Sequence, residues 1–122
     1  MKRSTFYGIA AGFAFLFGLV FLLFPEEMMV FYGTQAEAAG AFLGRYFGSC
    51  LFGVSVILWY ARNAEESKAL LAINFGTLGL TLTGLVVALM EALSGIGNVW
   101  VWSTVVIYTL LVIGFGWFHF KK

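Results

Sequence analysis

Four long apolar runs, roughly residues 6–24, 38–60, 69–93 and 99–118, fill most of this 122-residue chain, and only Arg45 and Glu91 bring charge into them. Crossing the hydrocarbon core of a bilayer takes about 20 helical residues, and each run is long enough. A segment in lipid must satisfy its own backbone N–H and C=O groups, which a helix does internally. The runs therefore predict an all-α fold, an integral membrane four-helix transmembrane bundle built as a single domain. Composition agrees: 61% of residues are hydrophobic and 11% charged, against about 25% charged in ordinary soluble domains. Too little chain lies between the runs for an extramembrane domain, so nucleic acid is not an expected partner.

Charge placement predicts the orientation. Lys2, Arg3, Arg62, Lys68, Lys121 and Lys122 fall at the N-terminus, the second loop and the C-terminus, while Glu26, Glu27 and Glu37 cluster in or beside the first loop. The positive-inside rule then puts both termini and the second loop in the cytoplasm; the expected location is a bacterial-type cytoplasmic membrane. The first run ends Leu23-Phe24-Pro25-Glu26-Glu27 with no small-x-small cleavage site, so it is read as a retained span and not as a secretory signal. Trp59, Tyr60, Trp100, Trp102 and Trp117 lie near the ends of the runs, where indole and phenol rings favour the headgroup level.

The connections carry helix signals. Pro25 followed by Glu26 and Glu27 opens a short helix, and Gly33 closes it, giving an interfacial segment after the first span. Thr34 and Glu37 have the spacing of a capping box for the second span. Asn63 with Glu65 and Glu66 reads as the start of the third, and Asn98 as the cap of the fourth after the turn Ser94-Gly95-Ile96-Gly97.

Two glycine strips stand out. Gly40, Gly44 and Gly48 form a GxxxGxxxG ladder on the second span, and Gly8 and Gly12 a shorter strip on the first. Glycines four apart leave a flat surface where another helix backbone approaches closely. The strips are expected to face one another within the chain, or else to form a subunit interface.

On the third span, Asn74, Thr77, Thr81, Gly84, Ala88 and Glu91 are spaced 3, 4, 3, 4 and 3 residues apart, the seam of a left-handed helix pair. Asn and Glu are costly against lipid, so the seam should turn inward, where it serves interhelical hydrogen bonding or a narrow ligand slot. Arg45 and Glu91 lie at similar depths, each about five residues or fewer inside an outer helix end, roughly 7 Å at 1.5 Å per residue. A charge held there is snorkelling, paired or functional. Arg45 and Glu91 are read as a candidate buried ion pair or ligand site.

The remaining polar chemistry is sparse. Cys50 is the only cysteine and is expected to be a small buried thiol. His119, the only histidine, reads as a wet interfacial imidazole. No nucleophile-and-base pair or metal-ligand set is evident, so neither an enzyme nor a cofactor is predicted. A bound lipid or quinone is the ligand class the helix faces would suit.

Helix 1 ends Gly18-Leu19-Val20-Phe21-Leu22-Leu23-Phe24-Pro25, an acidic Glu37 follows, then Gly44-Arg45-Tyr46-Phe47-Gly48 and a basic exit at Arg62. That order, over roughly residues 8–62, resembles the DoxX-like superfamily of small bacterial four-helix membrane proteins. The resemblance implies a small accessory subunit, since some relatives serve respiratory or sulfur-oxidising complexes. Small multidrug transporters share the length and span number but keep an acidic residue in the first helix, which this chain lacks. The expected function is a small non-enzymatic membrane subunit, packing through glycine-rich and aromatic faces against membrane lipids and other subunits or its own copies. The alternative is a small transporter or a lipid- or quinone-binding protein that uses the helix 3 seam.

Overall fold

A computed structural model of the chain describes residues 2–35, 37–95 and 97–120. Of the segments read above, Ala36 of the capping box, Ile96 of the last turn and the basic Lys121 and Lys122 lie outside the described residues. Those described form five α-helices and no strand: α1 (Arg3–Leu23), α2 (Pro25–Phe31), α3 (Ala38–Ala61), α4 (Lys68–Ser94) and α5 (Val101–Phe120). All except α2 are long and apolar enough to cross a membrane. At 1.5 Å per residue even the 20-residue α5 is about 30 Å long, the thickness of a hydrocarbon core.

The chain divides into two compact units, Met1–Asn63 and Ala64–Lys122. In the first, α1 and α3 run antiparallel. Phe15 meets Phe52 and Phe21 meets Phe47, with ring centroids 5.7 and 5.0 Å apart. Between these aromatic contacts the two backbones touch. A methyl group at Gly48 would lie 2.7 Å from the Gly18 carbonyl oxygen and 2.8 Å from the Leu22 nitrogen. At Gly18 it would lie 3.0 Å from both the Gly48 oxygen and the Phe52 nitrogen. Only glycine at both positions permits that approach.

Helix α1 breaks at Phe24 because Pro25 has no N–H to continue the ladder and fits the first position of a new helix. The broken helix keeps its line along α3. Pro25 lies over Gly44 and the Met29 side chain over Gly40. The ladder is thus used within this unit, each glycine under a different part of α1–α2. The partner strip is not the expected one. Gly12 has no atom within 4 Å of a Cβ position, and Gly8 only an edge of Trp59 at 3.9 Å. The small residues that do pack recur every seven positions: Ala11, Gly18 and Pro25 on one side, Ala41, Gly48 and Ser55 on the other, all buried. A repeat of seven keeps one seam facing its partner along both helices. Tyr7 and Leu58, fully buried, belong to the same core.

Helix α2 ends in a Schellman arrangement. Gly33 has φ +81°, its N–H donates to Val30 O (2.9 Å), and Thr34 N–H donates to Met29 O (2.9 Å). The Thr34 hydroxyl also donates to Met29 O, at 2.8 Å. Thr34 therefore closes α2 instead of capping α3, whose N-cap is Glu37 without a side-chain cap bond. A second correction concerns α4. Its N-cap is Ser67, in extended conformation, with its hydroxyl accepting from Leu70 N–H at 3.1 Å. Asn63, Glu65 and Glu66 precede the helix. Ser67 caps as well as Asn63 and stands directly before the apolar run, so the helix starts without drawing the two glutamates into it. Asn98, expected to cap α5, accepts through its side-chain oxygen from Trp100 N–H at 3.0 Å in the turn just ahead of that helix.

In the second unit α4 and α5 are again antiparallel, with Gly84 against Tyr108 and Phe75 stacked on His119. The buried positions Asn74, Thr81 and Ala88 on α4 repeat at seven, as do Val101, Tyr108 and Phe115 on α5, where Tyr108 is half-buried.

The crossing of α1 and α3 gives the first test. Gly48→Ala forces backbone apart and should lower stability in mild detergent by about 1–3 kcal/mol, the usual range for overpacking. Gly12→Ala meets open space and should be neutral or stabilising, since alanine is the better helix former. Thermal unfolding followed by circular dichroism compares the two, and a Gly48→Ala protein as stable as wild type would show a loose crossing.

Candidate functional site

The polar seam of α4 is built from side chains that solve the hydrogen-bond problem in two ways. Threonine can return its hydroxyl to its own helix, and here it does: Thr77 donates to Ile73 O (2.7 Å), and Thr81 to Thr77 O (2.9 Å) and Leu78 O (3.1 Å). Asparagine carries two amide donors on a longer arm and can reach beyond its own helix. Asn74, buried, donates from Nδ2 to the Phe115 carbonyl of α5 at 3.0 Å. One bond thus ties two helices together where water is excluded.

Further along, Gly84 admits the ring of Tyr108. A methyl there would lie 2.5 Å from one ring carbon and 2.6 Å from the next. Ala88 continues the buried line. Asn74, Thr77, Thr81, Gly84 and Ala88 therefore form the face of α4 that receives α5, and Tyr108 and Phe115 fill it. Glu91 departs from them. It lies in the last turn of α4 and is exposed, with its own carbonyl accepting from the Ser94 hydroxyl at 2.9 Å.

Arg45 is likewise exposed, on α3 beside the exposed rings of Phe42 and Tyr46, which meet edge to face at 5.0 Å. Within its own unit each residue is open, Arg45 in the first and Glu91 in the second. Cys50 is exposed too, against the expectation of a buried thiol. It follows Ser49 on the side of α3 turned away from α1, where the seven-residue seam does not reach. His119, expected as a wet imidazole, is only partly open. Its ring is half-buried, stacked on Phe75 at 4.9 Å and edge-on to Phe120 at 4.7 Å, with Nδ1 shielded from solvent and without a hydrogen-bond partner. The helical register that brings Phe75 beside the end of α5 is what encloses it.

Among the described residues no group of three or more His, Cys, Asp or Glu side chains is placed to hold a metal ion. Residues that sequence patterns did not single out carry much of the packing: Gly18, Tyr7, Tyr108 and Phe115. The seven-residue spacing of Ala11, Gly18 and Pro25 was the available signal for the first of these. Comparison of the chain with family models, with curated proteins and with solved structures finds no match.

The seam makes a quantitative prediction. Asn74→Ala should lower stability by about 0.6–1.7 kcal/mol, the range for interhelical hydrogen bonds in membranes. Thr81→Val keeps the shape and loses only a bond to its own helix, so it should cost less. Thermal unfolding of both variants decides; equal losses would assign the Asn74 effect to packing alone.

Proposed function

We propose that the chain is a small, non-enzymatic, four-span subunit of a bacterial-type cytoplasmic membrane, with both termini cytoplasmic and α2 at the outer interface. It packs against a larger membrane complex or its own copies. The observation that carries this reading is how little of each span is used internally. Only 17–22% of an 18-residue apolar stretch of each long helix is buried. Leu16, Leu43, Leu110 and Ile113 are among the large apolar side chains left exposed, more apolar surface than a soluble monomer presents to water.

Four glycines add to it. Gly12, Gly53, Gly76 and Gly79 have no atom within 4 Å of a Cβ position. Glycine costs about 1 kcal/mol in a helix relative to alanine, and close helix–helix approach is what repays that cost in lipid. On α4, Gly76 and Gly79 lie three residues apart on exposed backbone, so a partner helix is the fitting occupant. The resemblance of residues 8–62 to the DoxX-like superfamily, some of whose members serve as small subunits, points the same way. The seam of α4 supports a ligand slot less well, because its polar groups are engaged within its own unit and its open positions hold Tyr108 and Phe115.

Two experiments test the proposal. Cysteine placed at Gln35 should label from outside in intact cells, and cysteine at Ala64 should not; reversed labelling would overturn the orientation. Gly76→Leu with Gly79→Leu should abolish oligomerisation or co-purification in mild detergent while helix content stays at the wild-type level. A doubly substituted protein that remains associated would remove the open glycines from any interface.

A further inference from the structure

Two of the three arginines of the first unit, Arg3 and Arg62, lie at one end of it, each over an aromatic ring. Arg62, the C-cap of α3, places its guanidinium carbon 3.7 Å from the centroid of the Trp59 ring and donates from one terminal nitrogen to the Trp59 carbonyl. Arg3, in the first turn of α1, lies 5.9 Å from the centroid of Tyr7. The antiparallel register brings these turns to the same end, since Trp59 reaches Gly8, only five residues beyond Arg3. Lys2 adds a third positive charge there. Trp59 and Tyr60 are 50% and 80% exposed, so the charges adjoin an open aromatic and apolar surface.

We infer that this end of the first unit is a binding site for the headgroup of an anionic phospholipid, with Arg62 as its central contact. The inference rests on the reading that α1 and α3 cross the bilayer. Stacking on the indole holds the guanidinium plane in place, while one of its five N–H donors is spent on the Trp59 carbonyl. The remaining donors match a phosphate in the paired geometry that guanidinium favours and ammonium does not. Charge complementarity selects an anion, and the exposed Trp59 and Tyr60 select one carried on an acyl chain, since indole and phenol rings rest where headgroup meets hydrocarbon. A lipid phosphate at Arg62 would extend its chains along the exposed face of α3, where Val56, Ile57 and Phe52 stand open. Free phosphate gains nothing from that face.

The test uses the purified full chain in mixed micelles of phosphatidylglycerol and phosphatidylcholine, with retained lipid counted by native mass spectrometry. Wild type should retain phosphatidylglycerol in preference to phosphatidylcholine, and millimolar inorganic phosphate should not displace it. Arg62→Gln should weaken that preference roughly fivefold, the share expected of one basic residue at an anionic surface. Arg45→Gln, far along α3, should leave it unchanged. If Arg62→Gln does not fold, as judged by circular dichroism, Arg3→Gln serves in its place with the same expectation. Equal retention of the two lipids, an unaltered preference in the substituted protein, an equal loss in Arg45→Gln, or displacement by phosphate would each overturn the inference. Alkaline carbonate extraction separates this from the underlying reading: a chain released from membranes fails as a spanning protein, whereas one that stays but shows no lipid preference fails only here.

Discussion

Close packing at residues seven positions apart is the constraint on which both helical hairpins depend. In lipid there is no hydrophobic force to press one apolar helix against another, so stability must come from dispersion contacts and from the few polar bonds available. Dispersion falls steeply with distance. Helices whose contact positions hold Gly, Ala or Ser gain many close contacts at once. Gly18 against Gly48 is the extreme case, where neither side tolerates even a methyl group. The neighbouring details follow from it. Phe15, Phe52, Phe21 and Phe47 flank the crossing as ring pairs, and the break at Phe24 lets α2 continue along the ladder over Gly44 and Gly40.

The second hairpin meets the same requirement with different chemistry. Its seam carries Asn74, Thr77 and Thr81 where the first has glycines, and a tyrosine ring fills the hollow at Gly84. The threonines return their hydroxyls to their own helix, which makes them small, nearly apolar packing surfaces. Asn74 is different because its amide must find a partner, and the Phe115 carbonyl supplies one. That bond fixes the register of α4 against α5 more sharply than shape alone, since a slip of one turn would strand a buried amide at a cost of about 1–3 kcal/mol.

How much of this was legible depended on whether a pattern was interrupted. The four long apolar helices were read correctly to within about three residues, because their length and apolarity are plain in the sequence. The seam of α4 was legible because Asn and Thr stand out in an apolar run. The equivalent seam of α1 was not, because Ala11 and Gly18 are only two among many small residues, and Gly8 with Gly12 made a more conspicuous motif. Motif spacing of four marks a flat strip, whereas the seven-residue repeat decides which strip is met. Caps failed for a related reason. Thr34 and Asn63 were chemically fit, but Gly33 in the left-handed region turned the chain so that Thr34 faced backwards, and Ser67 offered a better-placed start. The exposure of Cys50 had the same origin, since one step along a helix turns a side chain by about 100° and can carry it off the seam.

What the seams do not bury then bears on function. Asn74 is spent on holding the second hairpin together, and the seam threonines and Ser55 return their hydroxyls to their own helices, so recognition falls to surfaces outside the seams. Those surfaces are of two kinds: open glycines amid apolar side chains along the spans, and arginines stacked on aromatic rings at one end of the first unit. The first kind suits another helix, because flat backbone rewards close approach and carries no chemistry of its own. The second suits an anion, because stacking on Trp59 holds the Arg62 guanidinium on a fixed plane with only one donor spent on the Trp59 carbonyl. Neither requires a cavity. The proposals made for this chain therefore place partner and lipid at its faces and its ends.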